Sequence, residues 1–174
     1  MHKIRRFIEE EKLSRTVSRI AQELNNFYGN EEVILCVVMK GSLIFAADLM
    51  RALTMPVQIE FMQAKSYGTG TTSSGKIHIR VDMGCDIQGR NVLIVEDIID
   101  SGNTLYALKN TLSARGPKSL KLCTLLDKPS RREAPVNADF CGITIPDAFV
   151  VGYGLDYAEH YRELPYIGIV EMEE

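Results

Sequence analysis

Apolar residues recur at two different spacings along the chain, and each spacing predicts a different kind of element. Across residues 10–28 they lie three and four positions apart, which predicts an amphipathic helix that ends near Gly29. Short apolar runs rich in β-branched residues predict strands at 33–38, 57–62, 76–81, 92–95 and 120–126. Helical patterns at 42–53 and 103–115 follow two of these strands directly.

The order strand, helix, strand therefore recurs, and several of the strand runs are almost continuously apolar. Strands of this kind are covered on both faces, which predicts an α/β domain with a mainly parallel sheet. Ligands of such sheets bind beyond the carboxyl ends of the strands, so functional residues should directly follow the apolar runs. No repeat or linker divides the chain, and we expect residues 1–174 to form one domain.

Composition excludes several classes of function. The chain has 174 residues, of which 45% are apolar, and 20 Lys and Arg against 23 Asp and Glu give a formal charge of −3. This balance provides no general attraction to nucleic acid or to an anionic membrane, and we expect neither as a partner. The longest apolar run, 33–39, is about a third of the roughly 20 residues that a membrane-spanning helix needs.

The cysteines and the N-terminus bear on the compartment. The four cysteines are widely spaced without a C-x-x-C pair, and Cys36 and Cys123 lie inside apolar runs. This pattern favours reduced, buried thiols, although sequence alone leaves a disulfide open. The N-terminus lacks the apolar segment of a secretory signal. We therefore expect a cytoplasmic protein.

An acidic segment follows the strand at 92–95. Glu96, Asp97 and Asp100 place three carboxylates within five residues, and their mutual repulsion requires a metal, a cation or hydroxyl donors. The next residues, 101–104, read Ser-Gly-Asn-Thr and open a predicted helix, where hydroxyls and free backbone N–H groups form an anion site. The lysine of a P-loop is missing. An acidic strand end with Asp100 as an ordinary N-cap would explain one carboxylate but not three.

The run 92–104, Val-Leu-Ile-Val-Glu-Asp-Ile-Ile-Asp-Ser-Gly-Asn-Thr, resembles the phosphoribosyl pyrophosphate motif of type I phosphoribosyltransferases. Over nearly the whole chain, the resemblance narrows to the hypoxanthine (hypoxanthine-guanine) phosphoribosyltransferases. It implies the type I phosphoribosyltransferase fold, a mainly parallel twisted sheet flanked by helices with a small hood formed by the terminal segments. It also implies purine salvage, in which phosphoribosyl pyrophosphate and hypoxanthine or guanine give IMP or GMP and pyrophosphate.

The resemblance implies roles for the acidic segment. Glu96 and Asp97 would lie under the ribose, and Asp100 would take or share the proton on purine N7. The 5-phosphate would be held by the turn residues, which are Ser101, Gly102, Asn103 and Thr104. Magnesium is the implied cofactor, and its implied neighbours are Glu96, Asp97 and Asp156.

Three other parts of the chain resemble those that contact the pyrophosphate or cover the reacting centre in the family. Lys40 and Gly41 lie in a turn similar to the pyrophosphate loop, and Arg162 stands where the family has an arginine that reaches the pyrophosphate. Without the resemblance, Lys40 and Arg162 would be interpreted as ordinary solvated charges. Ser66 and Tyr67 begin a stretch, 66–75, similar to the family's closing loop. The alternative for that stretch is a long hairpin connection.

Four residues resemble the family's purine pocket. Lys128 would donate to the 6-oxo group, Phe149 would stack on the base, Val150 would offer backbone groups to its edge, and Asp156 would contact magnesium. Because an ammonium group matches a 6-oxo group and not a 6-amino group, adenine should be rejected.

Three alternatives stay open at this point. One is a non-catalytic regulator on the same fold, and another is a receiver-like signalling domain in which an acidic pair holds magnesium. The third is a relative that prefers xanthine or guanine. The family resemblance also implies a homodimer or a homotetramer.

Overall fold

The computed structural model of the protein describes residues 3–66 and 77–171. Its helices and strands follow in the order β1 (Lys3–Ile8), α1 (Glu10–Tyr28), β2 (Val33–Val38), α2 (Leu43–Ala52), β3 (Val57–Ser66), β4 (Ile77–Val81), β5 (Asn91–Ile99), α3 (Asn103–Ser113), β6 (Ser119–Asp127), β7 (Phe140–Thr144), β8 (Val150–Val151) and β9 (Ile167–Glu171). A short 3-10 turn, Pro129–Arg131, follows β6.

A six-stranded sheet with the order β4-β3-β2-β5-β6-β7 forms the centre of the fold. All neighbouring strands are parallel except β4, which runs antiparallel to β3. One apolar cluster packs α1 and α2 against one face, and a second packs α3 against the other. The predicted mainly parallel sheet flanked by helices is confirmed.

The carboxyl ends of β2, β5 and β6 meet at one edge of this sheet because the three strands are parallel neighbours. The residues that follow them, 39–42, 100–104 and 128–131, therefore lie close together. β2 is buried along its whole length, which fixes this edge relative to the core.

Strands β1, β9 and β8 form a separate three-stranded antiparallel sheet. It joins segments from both ends of the chain, so the hood predicted from the resemblance is confirmed. The apolar pattern alone did not predict these strands or β7. In β1 the charged residues Lys3, Arg5 and Arg6 break the apolar run, and the strand exists because it pairs with β9, far away in sequence.

Several predicted boundaries need correction. β5 runs from Asn91 to Ile99, so Glu96 and Asp97 lie within the strand and not beyond its end. β3 continues to Ser66, four residues past the predicted end. All four cysteines are free thiols, and Cys36 and Cys123 are buried as predicted. Within the described ranges, no helix is long and apolar enough to cross a membrane.

Candidate functional site

The acidic pair lies where β5 meets the turn after β2. Ser42, which is fully buried, donates a hydrogen bond of 3.2 Å from Oγ to Oε1 of Glu96. Gly41 lies against Asp97 so closely that a Cβ built on the glycine would be 1.6 Å from Oδ2 of Asp97. The position therefore requires glycine if the Asp97 carboxylate is to stay where it is.

The surroundings of this pair disfavour two full negative charges. Desolvation raises the pKa of the Glu96 carboxyl well above its usual range, and the adjacent charge of Asp97 raises it further. Desolvation also raises the pKa of Asp97. Its hydrogen bonds with Glu96 and with the backbone N–H of Ile98 oppose this rise. Ligand hydroxyls or a cation would satisfy the pair.

The Ser-Gly-Asn-Thr turn borders a cavity of about 150 Å³ at the N-terminus of α3, lined in part by Glu96, Asp100, Ser101, Gly102 and Thr104. Gly102 has φ +80°, a left-handed conformation that favours glycine. The Asn103 side chain is engaged elsewhere, since its Nδ2 donates to Oε2 of Glu133 at 2.7 Å. Backbone N–H groups, hydroxyls and the positive end of a helix thus meet at one cavity.

A segment that the sequence did not single out, 132–136, supports this turn from behind. Arg132 donates from Nε to the backbone carbonyl of Asp100 at 3.2 Å and forms an ion pair with Asp127. The backbone N–H groups of Glu133 and Ala134 donate to the carbonyl of Ser101 at 2.9 and 3.1 Å. No spacing signal points to these contacts; the only local hint is a pair of arginines three and four residues after Lys128.

Asp100 lies between two cations. Nζ of Lys128, whose side chain is only 8% exposed, is 3.9 Å from Oδ2 of Asp100, and Nε of Arg131 is 3.4 Å from Oδ1. Arg131 also reaches Asp147, with 3.8 Å between Nη1 and Oδ2. Asp147 precedes Phe149 by two residues, so this arginine connects Asp100 to the segment of the predicted purine pocket. The sequence reasoning missed Arg131.

Phe149 and Val150 differ in exposure. The Phe149 side chain is 53% exposed and meets Tyr157 edge-to-face, with ring centroids 5.4 Å apart. Val150 is buried at the start of β8. An apolar ring with one open face beside a strand end is suited to stacking on a flat ligand.

The 154–162 segment packs against the turn after β2. Gly154, with φ +101°, approaches Gly41 so closely that a Cβ would be 2.1 Å from the Gly41 carbonyl oxygen. Arg162 donates to the Gly154 carbonyl at 2.8 Å and pairs with Asp156 at 2.9 Å. The arrangement brings Arg162 and Asp156 to the side of the acidic pair, where the charge of Arg162 opposes part of the rise that desolvation causes in the pKa of Asp97.

Lys40 is exposed but paired, because its Nζ lies 2.8 Å from Oε2 of Glu159. Hydrogen bonds from Lys40 and Arg162 lower the pKa of the Glu159 carboxyl. Lys40 and Arg162 are therefore linked through one carboxylate, that of Glu159. No motif or spacing had pointed to Glu159.

Two predicted features cannot be placed in this geometry. Ser66 is the last residue of β3, and Tyr67 with the rest of the predicted closing loop, up to residue 75, lies outside the described residues. In the described part of the chain, no three His, Cys, Asp or Glu side chains are grouped closely enough to hold a metal ion by themselves.

A family model described as the phosphoribosyl transferase domain matches residues 7–158. The chain belongs to the phosphoribosyltransferase family. Hypoxanthine phosphoribosyltransferase of Salmonella typhimurium is 46% identical over 173 residues, covering 98% of this chain and 97% of the relative. Hypoxanthine-guanine phosphoribosyltransferase of Bacillus subtilis is 48% identical over 164 residues, covering 94% and 91%. The predicted relationship to this group of phosphoribosyltransferases is confirmed.

Solved structures agree with the family. One is a hypoxanthine-guanine phosphoribosyltransferase of Bacillus anthracis with a HEPES molecule in its active site. It is 46% identical to this chain, with a TM-score of 0.93, and the match covers 97% of this chain and 100% of that one. A Trypanosoma cruzi hypoxanthine phosphoribosyltransferase mutant in a ternary substrates complex has a TM-score of 0.92 at 39% identity, covering 98% and 96%. The predicted type I phosphoribosyltransferase fold is confirmed.

Proposed function

We propose that this chain is a purine-salvage enzyme that transfers the 5-phosphoribosyl group from phosphoribosyl pyrophosphate to hypoxanthine or guanine. The products are IMP or GMP and pyrophosphate. The observation that carries the proposal is the meeting, at one sheet edge, of the acidic pair, the anion turn and the buried Lys128. The activities named for the relatives support it.

The charges of the site match those that develop in the reaction. As the bond between C1 and the pyrophosphate oxygen stretches, positive charge grows on the ribose and negative charge on the leaving group. The carboxylates of Glu96 and Asp97 beside the sugar would stabilise the positive charge on the ribose. Lys40 and Arg162 would stabilise the negative charge on the leaving pyrophosphate. The turn at 101–104 would hold the 5-phosphate and fix the sugar between them.

Asp100 is suited to proton transfer at purine N7. Its carboxylate is half-exposed at the cavity of the anion turn, and Lys128 and Arg131 hold its two oxygens from the other side. With N7 within reach, the carboxylate would accept or share the purine proton while the opposite nitrogen, N9, attacks C1 with inversion.

Base selection supplies the direct test. Lys128 would donate to the 6-oxo group, with Phe149 stacked on the ring and Val150 at its edge. We expect monophosphate to form from hypoxanthine and guanine, but not from adenine, when each base is incubated with phosphoribosyl pyrophosphate and magnesium and the products are separated by chromatography. Turnover of adenine would contradict the assignment of Lys128.

Binding of phosphoribosyl pyrophosphate without turnover of any base, xanthine included, would favour the regulator instead. Membership of the family already removes the receiver-like alternative.

The role of Lys128 can be examined with Lys128→Met, which keeps the length and removes the charge. We expect the preference for hypoxanthine over adenine, measured as a ratio of kcat/KM values, to narrow by about 10-fold or more, because one directional hydrogen bond to the 6-oxo group is lost. Lys121→Met in β6, the strand that precedes Lys128, is the control, since Lys121 pairs with Asp139 away from the site. An unchanged ratio in Lys128→Met would place base selection elsewhere.

Magnesium is part of the proposal, and the donor set fits it. Magnesium is commonly held by one or two carboxylates together with substrate phosphates rather than by a closed protein cage. Asp156, Glu96 and Asp97 supply such carboxylates around an open site. The ion would neutralise charge on the pyrophosphate, while the protein's own residues position the sugar and the base.

Three further statements belong to this proposal. The chain would act as one domain over residues 1–174, and its free cysteines support a cytoplasmic location. It would form a homodimer or homotetramer, and several large apolar side chains are exposed on α2, β3 and β4, namely Leu43, Ile44, Ile59, Phe61 and Val81. Sedimentation of the purified chain would distinguish monomer, dimer and tetramer.

A further inference from the structure

The Glu159 carboxylate lies between two cations of the candidate site. Its Oε2 is 2.8 Å from Nζ of Lys40 and 3.4 Å from Nη2 of Arg162. These are the two side chains that the proposed function gives to the pyrophosphate. A protein carboxylate therefore occupies the position between them that a ligand anion would need.

The backbone around Glu159 directs its side chain there. The Glu159 N–H donates to Oδ2 of Asp156 at 2.9 Å, and the backbones of Tyr157 and His160 pair with each other at 3.0 and 3.1 Å. Ala158 and Glu159 have φ of +51° and +67°, a left-handed conformation that costs free energy in residues other than glycine. The contacts of the turn offset that cost and hold the start of the Glu159 side chain beside Lys40.

Glu159 and Asp156 differ in what they neutralise. Within the described ranges, Asp156 forms an ion pair with Arg162 and none with Lys40, whereas Glu159 pairs with both cations. Among the residues that the structure describes, Glu159 is the one carboxylate paired with Lys40. The side chains of Lys40 and Glu159 are 51% and 64% exposed, so water screens their attraction and a multiply charged anion can replace it.

We propose that Glu159 is an internal counter-anion of the pyrophosphate subsite, which competes with pyrophosphate and phosphoribosyl pyrophosphate for Lys40 and Arg162. This inference rests on the proposed function, because it takes the pyrophosphate subsite from it. The carboxylate keeps the two cations neutralised while no ligand is bound. After the reaction, the Glu159 carboxylate pairs again with Lys40 and Arg162. This weakens the binding of the product pyrophosphate and favours its release.

Glu159→Gln tests the competition, because it keeps the size of the side chain and removes its charge. We expect inorganic pyrophosphate to bind this variant roughly 3- to 10-fold more tightly than the unaltered chain, since a competing anion beside two cations is gone. Isothermal titration calorimetry at fixed ionic strength without added metal gives the two dissociation constants. The KM for phosphoribosyl pyrophosphate should fall in the same direction.

Glu163→Gln is the matched control, because the substitution removes the same charge. Glu163 is exposed and forms no ion pair among the described residues. We expect its pyrophosphate affinity to stay within about twofold, because an exposed charge outside the network is well screened. Unchanged or weaker binding in Glu159→Gln, or equal tightening in both variants, would overturn the inference.

A double-mutant cycle separates competition from a general change of field. In a Lys40→Met background, Glu159→Gln should tighten pyrophosphate binding less than it does in the unaltered chain, because the closer of the two contested cations is absent and only Arg162, at 3.4 Å, remains. Persistence of the full effect would refute competition for Lys40. Monophosphate synthesis by the unaltered chain is measured beside these titrations. Its absence would refute the proposed function, whereas normal synthesis with unaltered pyrophosphate affinity in Glu159→Gln refutes only the role of Glu159.

Discussion

Replacing Asp100 with Asn should lower kcat for monophosphate synthesis by about 10²- to 10⁴-fold, the usual contribution of general acid–base catalysis. The amide has nearly the same shape but cannot take the N7 proton. The KM values for the base and for phosphoribosyl pyrophosphate should change only a few-fold, because the anion turn and Lys128 remain. Steady-state kinetics with hypoxanthine, and a pH profile of kcat, measure both quantities.

Asp147→Asn is the control for this substitution. Asp147 pairs with Arg131 as Asp100 does, with 3.8 Å between Oδ2 of Asp147 and Nη1 of Arg131, and it is similarly exposed. Its loss removes one carboxylate from the same arginine without removing the proton acceptor. We expect kcat within about threefold of the unaltered value, the size expected of an exposed ion pair. Comparable losses in the two variants would show that charge balance around Arg131 matters and that Asp100 is not the acceptor.

The sequence predicted those parts of the site whose residues are adjacent in the chain. The apolar run of β5, its carboxylates and the turn that opens α3 are neighbours in the chain, and the parallel sheet brings them to the edge where ligands bind. The overlap of Glu96 and Asp97 with the strand itself was not predicted. Polar residues usually signal the end of a strand, but here the backbone pairing with β6 continues to Ile99.

The parts that were not predicted depend on contacts between distant residues. Lys40 and Glu159 are 119 positions apart, and the packing of Gly154 on Gly41 helps to bring their segments together. Arg131 ends the short 3-10 turn after β6 and Arg132 follows it, so no periodic pattern could indicate their partners. The strands of the hood are short, and β1, which is partly charged, depends on β9 from the other end of the chain.

Gly41→Ala should separate activity from stability. The new Cβ would lie 1.6 Å from Oδ2 and 2.8 Å from Cγ of Asp97, and the nearest atoms all belong to that one side chain. Asp97 can rotate away, but it then gives up its hydrogen bond of 2.7 Å from the Ile98 N–H and its place in the acidic pair. We expect kcat/KM to fall by about 100-fold, since a displacement near 1 Å in a catalytic constellation can cost that much. The melting temperature should fall by only about 2–4 °C, the equivalent of about 1 kcal/mol in a chain of this size.

Gly89→Ala is the matched variant for this comparison. Gly89 has φ +71° and no atom within 4 Å of an added Cβ, so the alanine introduces backbone strain of about 1 kcal/mol and nothing else. It lies before β5, at the end of the sheet opposite the site, and kcat/KM should not change. Two variants with similar losses of stability would then differ about 100-fold in activity, because of the two only Gly41→Ala displaces the Asp97 carboxylate. A Gly41→Ala protein with normal kcat/KM would mean that this carboxylate does not act on the sugar, and that Glu96 alone supports the developing charge.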